Sequence, residues 1–418
     1  MTLKILFITK AYPYPAQTGD LRYTAGLIES LSTFPLVNVT VFCGAGLPAS
    51  LPAETVLWRG QEWQPNFMTD IGSIFSRYPR GAARAYGPGA KRNLEKLLTK
   101  NTFDLALINE AVCAKAVPII TKFKIPALYI SHNVEADIRP RIAAQISGVL
   151  RRWLQRFDAK KYCQMELDLL QKVTGLSAIT EEDRARYAQL APNLRSIILK
   201  PGYSKDEEIL PISDAPRAAR AVLIGSFEWG AKRLNLEKIL KAYRQFSKLN
   251  GGGFPLRIAG KMPPAFLDQL RKSYPEVEFF GSFDRLSEVV QDANVALVLE
   301  DLGGGFKLKT LDYIFNGLAI VGLPKAMTGS GLVAHQEYLA VNSIEAAMPA
   351  IASLIKDQSR VKRLATLAHL KADGQFHWSE RGVKLLEFIQ ELLKPDSTSC
   401  PSPGHPTNTR AKIDIDGV

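Results

Sequence analysis

The stretch from Asn294 to Pro324, NVALVLEDLGGGFKLKTLDYIFNGLAIVGLP, most constrains what this chain can fold into. It opens on an unbroken apolar run, Val295 to Leu299, the pattern of a strand covered on both faces in a parallel sheet. Glu300 and Asp301 follow, then Gly303, Gly304 and Gly305. A helical pattern carrying Lys307, Lys309 and Asp312 ends at Asn316 and Gly317, residues suited to the left-handed backbone of a helix end. A second apolar run, Leu318 to Gly322, stops near Pro324. Strand, glycine loop, helix, strand is a βαβ unit, whose loop lies on the carboxyl edge of an α/β sheet.

Glycines let a ligand approach the backbone, and a helix start offers unpaired N–H groups and a positive dipole end. Lys307 and Lys309 add full charges there, so the natural guest is an anion, above all a diphosphate. Asp312 could accept hydrogen bonds from ribose hydroxyls. The spacing is neither that of a P-loop nor of a dinucleotide fingerprint. By itself the loop also reads as a glycine turn with solvated lysines.

At 418 residues the chain has room for two full domains, and 46% apolar with 22% charged residues is ordinary globular composition. No run approaches the ~18 apolar residues of a membrane span. The start, MTLKILFITKAYPYP, reads as a first strand and not as an export signal. Cys43, Cys113, Cys163 and Cys400 lie far apart, which indicates neither a zinc site nor a disulfide framework and fits a cytoplasmic protein. The net charge of +12 asks for an acidic partner. RGG repeats and aromatic-interleaved basic motifs are absent, which disfavours nucleic acid and leaves anionic small molecules or an anionic membrane surface.

Taken in order, Leu3 to Ile8 reads as a strand and Leu21 to Leu31 as a helix, with Gly19 between them where a phosphate could meet the backbone. Val37 to Cys43, Asp104 to Ile108, Ala127 to Ile130 and Val173 to Thr180 continue as strands, while residues 44 to 101 have an irregular pattern. His132 follows a buried strand in Ser131-His132-Asn133-Val134-Glu135, at the edge where open α/β sheets keep their ligand crevice. It reads as a functional or as a structural histidine. Arg139 to Lys172 reads as one basic helical stretch with an apolar stripe of Leu150, Trp153, Leu154 and Phe157. Such a helix either lies on an anionic bilayer or covers its own sheet with a solvated basic face. Residues 201–217 form a linker separating a first domain, 1–200, from a second, 218–375. In the second, strands are expected from Ala221, Leu256, Val277, Val295, Leu318 and Tyr338, and helices over Asn235 to Leu249, Pro264 to Ser273 and Leu286 to Asp292. A final helix, 376–393, precedes a Pro/Ser/Thr-rich tail, 394–418, expected to be disordered.

In their order and spacing, several segments resemble the retaining glycosyltransferases of family 4, also called glycosyl transferases group 1. They are Thr18-Gly19, the SHNVE segment, GSFEW from Gly225, IAGKMP from Ile258, GGGFKLKTLD, and FHW from Phe376. The resemblance runs from the first strand to Leu393. It implies a GT-B fold: two doubly wound Rossmann-like domains facing across a cleft, with the last helix returning to the first domain. It further implies a nucleotide-sugar donor (UDP-, GDP- or ADP-linked) held mainly by the second domain, and transfer to an acceptor hydroxyl with retention. Lys232 and Arg233 after Gly225, with Lys307 and Lys309, would neutralise the diphosphate, so no metal or other cofactor is expected. Asp312 would bind ribose, Gly19 would sit against the donor phosphate, and His132 near the sugar. The backbone of Gly303, Gly304 and Gly305 would contact sugar hydroxyls. The family pairs two glutamates, the second matching Asp312 and the first falling on Gly304, so the usual sugar-facing acid is missing.

Two rival readings keep the fold: a nucleotide-sugar epimerase or hydrolase, and a nucleotide-sugar-binding protein without catalysis. The acceptor depends on the first domain, whose arginines suggest an anionic or lipid-linked molecule and a peripheral place at the inner face of a membrane.

Overall fold

The computed structural model describes all residues except 1, 15, 17, 45–53, 58–66, 88, 204–216, 284, 303–304 and 395–418. Most of the expected linker and tail, and both Gly303 and Gly304, therefore lie outside the described residues.

Seven strands form the first sheet: β1 (Leu3–Thr9), β2 (Val37–Cys43), β3 (Glu54–Leu57), β4 (Leu105–Asn109), β5 (Ala127–Ile130), β6 (Gly175–Ala178) and β7 (Ser196–Ile198). Their order is β3-β2-β1-β4-β5-β6-β7. Six more form the second: β8 (Ala221–Ile224), β9 (Leu256–Ala259), β10 (Glu278–Gly281), β11 (Val295–Val298), β12 (Ala319–Gly322) and β13 (Leu339–Ala340), in the order β10-β9-β8-β11-β12-β13. Every pairing is parallel. The architecture is thus two doubly wound α/β sheets, as the βαβ rhythm predicts.

Alternation along the first sheet splits its apolar residues between two layers. Leu6, Ile8, Ala106, Ile108 and Tyr129 pack into one core, whereas Ile5, Phe7, Leu105, Leu107 and Leu128 pack into another. The second of these cores is continuous with that of the second sheet. Tyr203 bridges the two halves: its ring stacks on Phe315 at 4.5 Å, and its N–H donates to the Phe376 carbonyl at 2.6 Å.

The final helix, Trp378–Leu393, does return to the first domain and packs on the helix Gly19–Ser32. Glycines make the approach close: a Cβ on Gly26 would lie 2.2 Å from Trp378, and one on Gly382 2.8 Å from the Ser30 carbonyl oxygen. Gly26→Ala should therefore displace the indole and cost about 1–3 kcal/mol by overpacking. Denaturant unfolding measures this, and an unchanged midpoint would count against the contact.

Three expectations change. Residues 44–101 are not irregular throughout but contain β3 and the helices Phe67–Phe75, Arg80–Ala85 and Ala90–Lys100. The basic stretch is two helices, Glu135–Ala144 and Val149–Leu170, because Gly148 takes φ +87° between them. The helix after β8 begins at Gly230 and not Asn235, which puts Lys232 and Arg233 in its first turn. Gly317 takes φ +66°, the left-handed end expected of the helix Lys309–Phe315.

Candidate active site between the two sheets

Each sheet reverses its winding between two central strands, β1 and β4 in the first and β8 and β11 in the second. The loops leaving these strands diverge there and open a crevice at the carboxyl edge. Lys10 follows β1, Glu110 follows β4 and His132 follows β5. Gly225 follows β8 and Glu300 follows β11. Two contacts bring the crevices face to face. A Cβ on Gly305 would lie 2.9 Å from the His132 carbonyl oxygen and 3.0 Å from Asn133 Oδ1, and Gly305 has φ +66°. Both facts exclude a side chain at this position. Gly19 packs against Leu308, whose Cβ is 3.7 Å from the position a Gly19 Cβ would take.

On the first-domain side, Lys10 Nζ donates to Asp20 Oδ2 at 2.7 Å and Glu110 Oε2 at 2.9 Å. Burial opposes both charges of the Lys10–Asp20 pair, but the attraction wins and holds the Asp20 carboxyl below the usual range. Glu110 sits at φ +67°, an uncommon backbone state for a glutamate and one that concentrates at functional sites. Asn109 donates through Nδ2 to Thr9 Oγ1 (3.1 Å) and Thr24 Oγ1 (3.0 Å), so its Oδ1 accepts from His132 Nε2 at 2.9 Å. That network assigns the neutral His132 its proton on Nε2 and turns Nδ1 toward Glu110 Oε1, 3.8 Å away. Burial lowers the His132 pKa, with Glu110 pulling partly back, which favours the neutral imidazole.

On the second-domain side, Lys309 pairs with the half-buried Glu300, whose carboxyl it holds low against the effect of desolvation. Lys307 donates to the Gly305 carbonyl oxygen at 3.3 Å. Burial pushes its pKa down to about 8; Glu300 opposes this, while Lys232 and Lys309 add to it. Lys232 is lowered in the same way, by burial and then by Lys309. The three lysines therefore repel one another at the crevice, although Lys232 lies in a different sequence segment from Lys307 and Lys309. Such a cluster costs energy in the free protein and suits a polyvalent anion.

Of the expected site residues, Gly19, His132, Gly305, Lys232, Lys307 and Lys309 thus meet at facing crevices, with Gly225 at the end of β8. Arg233 turns to the Glu228 carbonyl oxygen (3.3 Å). Asp312 lies in the first turn of its short helix and accepts through both carboxylate oxygens from Arg22 Nη1 across the cleft, at 2.8 and 3.0 Å. Sequence reasoning missed Lys10, Asp20, Arg22, Asn109 and Glu110. Asn109 and Glu110 carry the signal that drew attention to His132, polar residues ending a buried strand.

The sequence matches no protein-family model and no curated protein. Solved structures do resemble the fold. Sucrose-phosphate synthase from Thermosynechococcus elongatus superposes with a TM-score of 0.71 at 16% identity, over 93% of this chain and 99% of that one. The Anabaena protein HepE, in complex with UDP and glucose, gives 0.62 at 12% identity over 93% and 100%. WaaG, a glycosyltransferase involved in lipopolysaccharide biosynthesis, gives 0.63 at 17% identity over 92% and 99%. This chain has the GT-B fold. Within a GT-B frame, the facing crevices just described are the cleft between the two domains, and the lysine cluster lies on its second-domain wall.

Proposed function

We propose that the chain is a retaining glycosyltransferase, moving a sugar from a UDP-, GDP- or ADP-sugar to an acceptor hydroxyl in glycan or glycoconjugate biosynthesis. The observation that carries this reading is the Gly305–Lys307 turn seated against the His132 carbonyl, with Lys309 beside it on Glu300 and Lys232 near enough to repel both lysines. Cleaving a sugar–phosphate bond leaves negative charge on the diphosphate and positive charge on the ring. Fixed cations around the leaving group stabilise that state more than the bound substrate. The lysines would do the work of a metal ion, and no metal is required on this reading. His132, neutral and backed by Asn109, faces the side from which sugar and acceptor would meet. Arg22 and Asp312 would share the ribose end, since a carboxylate has lone pairs for both the guanidinium and a hydroxyl. UDP and glucose bound to HepE agree with a donor of this class.

A thermal-shift panel of UDP, GDP, ADP and their sugars tests the reading. At ~100 times its Kd, the correct nucleotide should stabilise the fold by about 2.7 kcal/mol. No shift with any member would overturn it. The glycine at 304, where the family has an acid, favours a second reading in which the cleft binds the donor without transferring it. The same nucleotide shift without acceptor-dependent release of nucleoside diphosphate would select that alternative.

A further inference from the structure

The helix Val149–Leu170 buries Ala159, Tyr162, Met165, Glu166, Leu169 and Leu170, so only its second half covers the sheet. The apolar stripe read from the sequence lies in the other half, and it faces outward. Leu150 is 70% and Trp153 61% exposed, with Val149, Leu154 and Phe157 beside them. The neighbouring helix Phe67–Phe75 adds Phe75, 87% exposed, with Met68 and Ile74. Together these two helices hold eight of the fifteen large apolar side chains exposed among the described residues. One lysine joins them: Lys161 Nζ donates to the Ser73 and Ile74 carbonyls at 2.7 and 2.8 Å and lies 4.5 Å over the Phe157 ring. Phe157 in turn stacks on Trp153, with rings 4° from parallel. The patch is one surface and not scattered residues.

Its rim is cationic. Arg151, Arg152, Arg156 and Lys160 are exposed and make no ion pair among the described residues. From Val149 to Lys161 the only acid is Asp158, whose Oδ1 accepts from the Arg80 N–H at 2.8 Å. Apolar side chains with a tryptophan among them, ringed by unpaired cations, match a layer with an oily interior and anionic headgroups. A second copy fits less well. A two-fold contact through this face would bring two cationic rims together, with Asp158 the only acid on that half of the helix to offset them. No described helix is long and apolar enough to cross a membrane, so contact would be at the surface.

We infer that this face, Phe75 and Leu150 to Phe157 with the Arg151, Arg152 and Arg156 rim, docks the first domain on the surface of an anionic bilayer. The inference stands apart from the chemistry of the cleft. It is tested by sedimentation of the full chain, without nucleotide, with phosphatidylglycerol/phosphatidylcholine vesicles and with phosphatidylcholine vesicles alone, at low and high salt. Binding to the acidic vesicles that weakens with salt is expected. Phe75→Ser with Trp153→Ser should reduce it at least about tenfold, because two large side chains lose their apolar contact. Each arginine neutralised should reduce it about fivefold at low salt. These side chains are exposed, so an unchanged melting curve verifies the fold of each variant. Three outcomes overturn the inference. They are no sedimentation with acidic vesicles at low salt, undiminished binding by the Phe75/Trp153 variant, and a concentration-dependent dimer in light scattering that this variant abolishes. A failure here leaves the nucleotide shifts of the cleft untouched.

Discussion

If the cleft transfers a sugar as proposed, Lys307→Ala should slow that transfer by ~100- to 1,000-fold, about 3–4 kcal/mol of transition-state stabilisation, with nucleotide affinity falling far less. The ammonium is built into the wall of the cleft between Gly305 and the Glu300–Lys309 pair, so it need not reorganise when the leaving group charges. Arg233→Ala should cost less, since that guanidinium already points to the Glu228 carbonyl. The pH dependence has a definite sign. Burial pushes the Lys307 pKa down to about 8, so its charge is present below that value and lost as pH rises through it. The value of kcat/KM, which reports the free enzyme, should therefore fall above pH ~8, and Lys307→Arg should remove that fall. Steady-state rates over a pH series decide it. Transfer within about threefold of wild type in Lys307→Ala would end the assignment.

The second large effect concerns stability. Glu166 counts, in the sequence, as one of the few acids on a basic helix, yet it is fully buried. Its Oε1 accepts from Tyr187 Oη at 2.7 Å and Tyr129 Oη at 3.1 Å, and its Oε2 accepts from the Ala136 N–H at 2.7 Å. Tyr187 Oη also donates to the Asn133 carbonyl at 3.0 Å and lies 2.6 Å from Ser131 Oγ. The glutamate thus braces the loop that holds His132. Burial raises its pKa from 4.5 to about 7; Tyr187 works against the rise and Glu135 adds to it. The folded state consequently holds this proton more tightly than the unfolded chain, so its contribution is complete below pH ~4.5 and lost as pH climbs to ~7. The loss is roughly 3 kcal/mol. Urea unfolding at intervals from pH 5 to 8 should show this decline in the wild type and a flatter profile in Glu166→Gln. Identical pH slopes in the two proteins would refute the account.

Both predictions turn on residues whose importance was unequally legible. Lys307 stands in a glycine–lysine loop between two apolar runs, and local pattern alone marks it as an anion site. Glu166 sits among arginines at helical spacing and looks solvated, because periodicity records which face a residue shares and not what lies opposite that face. The same limit explains the apolar stripe at Leu150 to Phe157. Its spacing announces a covered face, but the helix reaches past its own sheet, and only packing tells which half is left bare.

From the sequence alone came the two doubly wound domains, most strand positions, the glycine loop, His132 and the lysines. These depend on runs of a few residues, since burial of a strand and the turn after it are written in adjacent side chains. Tertiary structure alone decided which loops face each other. It set Gly305 against His132, crowded lysines from separate segments into one charge cluster, tied Asp312 to Arg22 across the cleft, and gave Lys10 its two carboxylates. Those relations join residues up to 290 positions apart, and they arise from where parallel strands reverse their order, a property of the assembled sheets that no local pattern encodes.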